Sequence, residues 1–498
     1  MRSRSAAVVL FLMVSLVSVA ETGTVLILHT NDFHDHIRSG YEGVGGMPYV
    51  AGYIKSVQAE RKDTLVLDAG DVMEKGDMLS FETESAVMYE AMGKIGYAAA
   101  TVGNHDLKHG VPRLKECEAL ASGMTFVCLN YLKKDGTPYF AVSKVLDAGK
   151  VKVGVMGLTV PKGGEFLDED ATGKALAREA ERLKPDVHLL VAVCHADSRL
   201  CARLSAMAPD VQVFVSGHSH EVLPKPVRVE KTGALIVQAG EYARYVGRLD
   251  LTIDLDTKKV VQANGSLVEM RHDAVRCDEA ILAWVKQREH EVCPEATRVV
   301  GRCEKALDRV AAARLAAAAL RQKAGVDIGF CHPNSVIRSG VPKGDVDVNA
   351  LFLTGGQRGY DLVTTRLTGE EIEAYLGDLM TFGKGQTTWA GFQADLAFNG
   401  SRKEWEAHTN LDPERAYRVV LPQLEWDARF RKVVENRATK DGVPAAPRSH
   451  ELAECPFAFT EAFAAYLEPL TQEQVTLDAH AEKLAAHMTL KPAALVHR

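Results

Sequence analysis

The apolar segments in the first half of the chain are continuous, without the alternation that a strand with one solvent-exposed face would show. These segments predict strands at residues 24–29, 64–70, 125–130, 151–159, 187–195 and 211–218. Strands of this composition are covered on both faces. Amphipathic segments between them, such as residues 48–60 and 111–122, predict helices. The first half is therefore expected to be an α/β fold of layered sheets and helices.

The pattern changes further along the chain. Strands that alternate apolar and polar residues begin near residue 246, and residues 278–292 predict one charged helix that could connect two domains. An Ala-rich helix at 311–325 and further strands follow, and the tail after about residue 470 predicts one more amphipathic helix. We expect that this tail packs on the second domain, with self-association as the alternative. The expected segments are a leader at 1–20, a first domain at 21–273, a linker helix at 274–297 and a second domain at 298–498.

The first twenty residues have the composition of a secretory signal peptide. Arg2 and Arg4 precede the apolar run AAVVLFLMVSLVSVA, and Ser18 and Ala20 are small residues at the expected cleavage site. A membrane anchor is the alternative, but the run is shorter than the roughly 20 residues that span a bilayer. The sequence therefore predicts a secreted or periplasmic protein.

Charge and cysteine content exclude two other classes of function. The formal net charge of −7 disfavours a general nucleic-acid binder, which would carry a basic face. None of the nine cysteines forms a Cys-x-x-Cys pair, so zinc sites made of thiolates are not expected. Some cysteines could pair in an oxidising compartment, although an odd number leaves at least one unpaired within the chain.

Five short segments share one feature, which is that metal-ligating side chains follow the end of a predicted strand. They are HTNDFHDH with Asp32 and His34, LDAGDVME with Asp71, VGNHD with Asn104 and His105, VCHADS with His195, and SGHSH with His218 and His220. Each segment alone would usually be an ordinary turn. Loops at the carboxyl ends of strands in an α/β sheet converge on one crevice, however. Together the five segments predict a metal site.

The donors are carboxylates, imidazoles and one amide, a set that suits Zn²⁺, Mn²⁺, Fe or Mg²⁺ without choosing among them. Asp71 is the natural carboxylate to bridge two ions. A pair of divalent ions ~3.5–4 Å apart would stabilise the attacking and leaving oxygens of a displacement at phosphorus, and an ion would also activate water. His105 could then donate a proton to the phosphoryl oxygen or to the leaving alcohol.

The order of the motifs NDxH, GD, GNHD, a strand-end His and GHSH resembles that of the secreted 5′-nucleotidase family of dinuclear metallophosphoesterases. The segments PNSVIRSG and GYDLVTTRLTGEEIEAYL resemble the second domain of that family. The resemblance implies a four-layer calcineurin-like domain, a β-sandwich flanked by helices, joined by a helix to a smaller α/β substrate-binding domain.

The resemblance also implies roles for individual residues. One divalent ion would be held by Asp32, His34, Asp71 and His220, and a second by Asp71, Asn104, His195 and His218. His105 would be the catalytic histidine, assisted by Asn104. Asn334 and Arg338 would contact the substrate, and Tyr360 would stack on a nucleobase.

Three departures from the family pattern concern the substrate and the catalytic histidine. Lys108 stands where the family has an aspartate that orients this histidine, so the partner of His105 is either missing or supplied from elsewhere. Lys108 itself could be a solvated side chain or could meet the phosphate. The NSVIR loop is one residue shorter than its counterpart, and the Gly-rich loop that supplies a second stacking ring is not recognisable. Trp426 or Phe430 could replace that ring.

The expected function is hydrolysis of nucleoside 5′-monophosphates or related phosphate esters at a dinuclear metal centre. The alternatives are a phosphodiesterase that acts on UDP-sugars or 2′,3′-cyclic nucleotides, and a non-catalytic binding protein. The expected partner is a small phosphate ester rather than nucleic acid, and no transmembrane segment is expected in the mature protein.

Overall fold

A computed structural model describes residues 21–161, 163–356, 361–381, 387–399, 404–431, 450–485 and 488–489. The expected signal peptide at residues 1–20 and the expected stacking residue Tyr360 lie outside these ranges. Among the helices of the described ranges, none combines the length and the apolar character needed to cross a membrane.

The strands are, in chain order, β1 (Thr22–Thr30), β2 (Thr64–Asp68), β3 (Ala99–Ala100), β4 (Thr125–Phe126), β5 (Ser143–Ala148), β6 (Val151–Thr159), β7 (Leu189–His195), β8 (Val213–Ser216), β9 (Val227–Arg228), β10 (Leu235–Val237), β11 (Tyr245–Asp254), β12 (Lys259–Glu269), β13 (Val299–Cys303), β14 (Ile328–Cys331), β15 (Gly344–Asp347), β16 (Leu362–Thr368), β17 (Thr388–Ala390), β18 (Ala394–Asn399), β19 (Glu404–Thr409), β20 (Ala416–Pro422), β21 (Ala453–Glu454) and β22 (Met488–Thr489).

The helices are α1 (Met47–Glu60), α2 (Met78–Glu82), α3 (Ala86–Ile95), α4 (Gly110–Leu120), α5 (Glu169–Leu183), α6 (Ser198–Met207), α7 (Glu279–Val292), α8 (Arg309–Ala324), α9 (Val348–Leu351), α10 (Gly369–Thr381), α11 (Gln423–Glu425), α12 (Phe459–Gln472) and α13 (Leu477–Ala485). A 3₁₀ turn covers Pro294–Thr297, and π-helical turns cover Phe352–Gly356 and Trp426–Phe430.

Two six-stranded sheets form the centre of the first half. The first has the strand order β12-β11-β1-β2-β3-β4, and the second has the order β5-β6-β7-β8-β10-β9. Strands β1 to β4 are parallel to one another, as are β6, β7, β8 and β10. The carboxyl ends of these two parallel sets carry the loops with the expected metal ligands.

Strand β1 shows why the apolar segments are continuous. Val25 and Ile27 lie in the core between the two sheets, whereas Leu26 and Leu28 lie in the core between the first sheet and its helices. A third core lies between the second sheet and helices α5 and α6. The expected four-layer arrangement of helices, two sheets and helices is therefore confirmed.

The second half contains a five-stranded mixed sheet with the order β17-β14-β20-β16-β21. Helix α8 lies against β14 and β17, and helix α12 lies against α8. Smaller sheets pair β13 with β15, and β18 with β19 and β22. The second half is therefore mixed α/β, as expected, while the domain limits drawn from the sequence stay a prediction.

Two predicted elements differ from the structure. The strand expected at 125–130 ends at Phe126, because the chain then crosses between the sheets: Val127 N–H donates to Ala100 O, and Leu129 N–H donates to Gly157 O. The tail helix expected after about residue 470 begins only at Leu477, because α12 extends to Gln472 and a turn separates it from α13. Leu477 of α13 is buried in the core of the second half, so the tail packs on that half.

Candidate metal centre

Two groups of side chains could each hold a metal ion. The first comprises Asp32, His34 and His220, and the second comprises Asp71, His195 and His218. Within each group the potential ligand atoms lie within 4.8 Å of one another. These are the acidic and imidazole residues that the sequence predicted as ligands, and their grouping follows the two sets that the resemblance implied, except that Asp71 falls in the second group alone.

The two sheets contribute different ligands to each group. Asp32 and His34 follow β1, and Asp71 follows β2, so these residues belong to the first sheet. His195 ends β7, and the loop after β8 carries His218 and His220, so these belong to the second sheet. Each group therefore spans the carboxyl ends of both sheets.

Asp71 lies between the two groups. Its Oδ2 is 3.1 Å from Nε2 of His195 in its own group and 3.9 Å from Nε2 of His34 in the other. Asn104 adds an amide oxygen, because its Oδ1 lies 3.2 Å from the same Nε2 of His195. The geometry is that of a carboxylate able to bridge two ions, with Asn104 beside the second.

The hydrogen-bond partners of the imidazoles fit a cation in the first group. His34 Nδ1 lies 3.1 Å from the carbonyl oxygen of Met73, and His220 Nδ1 pairs with the Glu241 carboxylate. With Nδ1–H as the donor in both contacts, Nε2 is the nitrogen of each ring that can offer a lone pair to a metal ion. These two Nε2 atoms face each other at 3.2 Å, so a cation between them would be held by both rings.

The second group has the same pattern. His195 Nδ1 lies 2.9 Å from the carbonyl oxygen of Ala69, so Nε2 is the nitrogen that can offer a lone pair to a metal ion. That lone pair faces acceptor oxygens of Asp71 and Asn104 and, at 3.3 Å, the Nδ1 atom of His218. Oxygen and nitrogen donors that converge in this way suit a divalent cation.

The loops that carry the ligands have a backbone conformation that side-chain-bearing residues rarely adopt. The φ angles are 53° at Asp32, 47° at His34, 58° at Asp71, 71° at His218 and 58° at His220. Positive φ costs conformational energy in residues other than glycine and persists only where surrounding contacts enforce it. This concentration of strain marks the loops as functional.

Asp106 is one residue that enforces this conformation. Its buried carboxylate accepts hydrogen bonds from the backbone N–H groups of Asp71, Val72, Met73 and Gly103 at 2.7–3.1 Å, and from the Tyr89 hydroxyl at 2.9 Å. Burial raises the pKa of the Asp106 carboxyl. Asp106 thus joins the loops after β2 and β3, a role that the sequence analysis did not assign to the Asp of GNHD.

His105 lies beside the first group and has a partner that the sequence analysis missed. Its ring contacts the His34 ring edge-on, with centroids 5.0 Å apart, and its Nδ1 pairs with the Glu74 carboxylate. The other oxygen of Glu74 lies 3.2 Å from Lys108 Nζ. The hydrogen bonds from His105 and Lys108 outweigh the opposing effect of burial and lower the pKa of Glu74 to about 2. Lys108 therefore pairs with a carboxylate instead of being a plain solvated side chain.

A cleft of about 580 Å³ opens between the two halves of the chain, next to the first group. Lys75, Tyr242 and Arg338 are among its lining residues, and Lys75 Nζ lies 3.4 Å from His34 Nε2. Asn334, in contrast, is exposed and does not line this cleft. Of the two substrate contacts expected in the described ranges, only Arg338 therefore lies at the cleft.

Trp426 and Phe430 do not provide an exposed stacking ring. Both are buried in the core around β14, β20 and α10, where Phe430 stacks on Tyr375 with ring centroids 3.4 Å apart. The suggestion that either could replace the family's second ring is wrong, because an aromatic side chain in this π-helical turn faces the core.

All nine cysteines lie in the described ranges, and there each has a free thiol. Only Cys277 and Cys455 of the nine are partly exposed. The pairing that an oxidising compartment would permit is not present.

Comparison with known proteins gives the same assignment for the first half. Residues 25–222 match the family model described as calcineurin-like phosphoesterase. Endonuclease YhcR of Bacillus subtilis is 27% identical over 55% of this chain, but the match covers only 26% of the endonuclease. A 5′-nucleotidase of Vibrio parahaemolyticus is 24% identical over 90% of this chain and 89% of its own length.

The fold also matches a solved structure over almost its whole length. The 5′-nucleotidase precursor from Thermus thermophilus superimposes with a TM-score of 0.64 and 22% identity. The superposition covers 94% of this chain and 100% of that structure. The arrangement of both halves is therefore shared with that protein.

Proposed function

We propose that this chain hydrolyses nucleoside 5′-monophosphates or related phosphate esters, because residues 25–222 match calcineurin-like phosphoesterases and a relative named 5′-nucleotidase matches most of the chain. The observation that carries the proposal is the pair of side-chain groups in which imidazole nitrogens converge, with Asp71 of the second group also close to His34 of the first. Divalent ions bound there would neutralise the charge of the ester and lower the pKa of water.

The proposed ligands follow from the two groups. Asp32, His34, Asp71 and His220 would hold one divalent ion, and Asp71, Asn104, His195 and His218 would hold the other. The metal identity is left among Zn²⁺, Mn²⁺, Fe and Mg²⁺, since oxygen and imidazole donors suit all four.

His105 is proposed as the catalytic histidine. Its Nδ1 pairs with the Glu74 carboxylate, so its Nε2 is the ring nitrogen available to a substrate. A histidine at this place can donate a hydrogen bond to the phosphoryl oxygen or a proton to the leaving alcohol.

The cleft favours an anionic substrate. Lys75 and Arg338 bring positive charge to its wall, and Lys75 reaches the ligand atoms of the first group. We assign Arg338 to contact with the phosphate ester, while roles for Asn334 and for Tyr360 in base stacking come from the family resemblance alone. The proposed secreted or periplasmic location comes from the sequence of residues 1–20.

A phosphodiester is the second candidate substrate. The relative named endonuclease supports this alternative, as does the burial of Trp426 and Phe430, which removes the two expected substitutes for a base-stacking ring. UDP-sugars and 2′,3′-cyclic nucleotides are diesters that the same cleft could admit.

The test is phosphate release by the purified protein after chelation, with Mn²⁺, Zn²⁺ or Mg²⁺ restored separately. The substrates are AMP, ATP, UDP-glucose, a 2′,3′-cyclic nucleotide and p-nitrophenyl phosphate, with a phosphomonoesterase added to reveal the products of diester cleavage. Metal-dependent turnover of AMP that is lost in Asn104→Ala supports a nucleotidase. Turnover of the diesters alone selects the second candidate, and no turnover with metal bound contradicts both and favours a binding protein.

A further inference from the structure

We propose that Glu74 is the positioning residue of His105, and that it supplies from a neighbouring loop the carboxylate that Lys108 has displaced. The role rests on the proposed function, because it concerns the histidine that would act on the ester. It makes Glu74 part of the hydrolytic machinery without contact to the substrate.

The backbone of His105 is fixed relative to the metal ligands. Its N–H donates to Asp71 Oδ1 at 2.8 Å, and the preceding Asn104 reaches the second ligand group. With this end anchored, the orientation of the ring depends on what holds Nδ1. Glu74 is that group, and Nε2 remains on the opposite side of the ring.

The backbone of Glu74 is also held in place by its surroundings. Its φ is 71°, and its N–H donates to Asp35 Oδ2 at 2.6 Å. Gly76 then approaches the preceding ligand loop so closely that a Cβ there would lie 2.1 Å from the carbonyl carbon of Asp35. The loop after β2 is therefore locked against the loop after β1, and the carboxylate is aimed by a rigid backbone.

Lys108 selects the orientation of this carboxylate. Lys108 Nζ pairs with Oε1 of Glu74, while Nδ1 of His105 pairs with Oε2. Lys108 is 55% exposed, so water screens the ion pair and its main effect is to steer the carboxylate. An aspartate at position 108, as the family resemblance implies, would supply a carboxylate from the loop that carries the histidine itself.

A carboxylate on Nδ1 fixes the plane and tautomer of an imidazole and stabilises the positive charge that forms on it. Glu74 would therefore matter most when the leaving group needs a proton. A nucleoside 5′-hydroxyl is such a leaving group, whereas p-nitrophenolate departs readily without one.

The kinetic experiment measures kcat and KM of Glu74→Ala with AMP and with p-nitrophenyl phosphate. We expect kcat with AMP to fall on the order of 10–100-fold, a smaller loss with p-nitrophenyl phosphate, and little change in either KM. The double variant Glu74→Ala with Lys108→Asp restores the carboxylate from the other loop and is expected to regain part of the AMP activity. Glu90→Ala, a glutamate-to-alanine change on the surface of α3, is the matched control.

A second readout does not need turnover. In metal-free protein labelled with ¹⁵N-histidine, the Nδ1 proton of His105, assigned by its loss in His105→Asn, is expected to be observable. It is expected to broaden or shift in Glu74→Ala and to stay in place in Glu90→Ala.

The outcomes separate this inference from the proposed function. A wild-type protein that hydrolyses no ester contradicts the proposed function, while the resonance still tests the contact. An active wild type with unchanged kcat in Glu74→Ala overturns the inference. Equal losses with both esters, without rescue by Lys108→Asp and with lower metal content, also overturn it by showing a structural role.

Discussion

Arg38 and Asp347 form an ion pair between the two halves of the chain, with Arg38 Nη2 2.9 Å from Asp347 Oδ2. The other carboxylate oxygen of Asp347 accepts from the Tyr41 hydroxyl at 2.5 Å and from Ala350 N–H, the start of α9. Arg38 Nε also lies 3.1 Å from Oε1 of Glu289 in α7. Arg38 thus connects the first half with helix α7 through Glu289 and with the second half through Asp347.

Asp347→Ala is expected to weaken the contact between the halves. It removes a helix cap and leaves a mostly buried guanidinium with one carboxylate fewer, at a cost of about 3 kcal/mol in the free energy of unfolding. Urea denaturation measures this cost. The control is Asp345→Ala, two residues away, whose ion pair with Arg302 is exposed and is worth about 0–1 kcal/mol. Equal stability of the two variants would show that Asp347 does not hold the halves together.

Metal content is expected to distinguish Asp71 from the other ligands. If Asp71 bridges two ions, Asp71→Ala loses affinity at both positions, whereas His218→Ala loses it mainly at one. Elemental analysis after dialysis against limiting Mn²⁺ or Zn²⁺ gives the number of ions bound per chain. A full complement in Asp71→Ala, or identical losses in the two variants, would contradict the bridging role.

Glu241 is expected to tune the first ion position through His220. Its carboxylate pairs with His220 Nδ1, which fixes the tautomer that leaves Nε2 free for a metal. Removing such a partner typically lowers metal affinity about 10–100-fold. Competition with a metallochromic chelator measures the affinity of Glu241→Ala against that of Glu230→Ala, a change at an exposed glutamate. Wild-type affinity in Glu241→Ala would rule out this role.

Asp106→Ala is expected to be among the most destabilising single changes in the first half. Four backbone N–H groups and the Tyr89 hydroxyl would lose their acceptor inside the protein. Each unpaired buried donor costs about 1–3 kcal/mol, partly recovered where water enters. Thermal unfolding of the metal-free protein measures the loss of these hydrogen bonds separately from any loss of bound metal. A melting temperature near that of the wild type would mean that other contacts hold these loops.

The sequence could single out the residues that the structure brings together because each of them lies at or just after the end of a buried strand. Both the strand and the ligand type are local features, so Asp32 or His195 can be recognised without knowing the fold. The division of these residues between two ions came only from the family resemblance, and their division between two sheets was not predicted. Strand 125–130 was predicted too long because its change of hydrogen-bond partners, from Ala100 to Gly157, depends on how the sheets face each other.

Glu74 and Glu241 escaped prediction for a different reason. Each lies in a polar turn, where a glutamate has no periodicity and no motif to mark it. The partner of Glu74 is 31 positions away, and only the packed loops bring the two together. Trp426 and Phe430 were misassigned because an aromatic residue near an expected substrate site has the same sequence signature whether it faces a ligand or the core.

The division of each ligand group between two sheets has a consequence for assembly. Neither sheet alone contains a complete group, so metal uptake can follow only after the sheets have come together. A bound ion would then link the two sheets at the carboxyl ends of their strands and oppose their separation. A chain that lost its metal would lose resistance to unfolding along with its chemistry, which links cofactor supply directly to the lifetime of the protein.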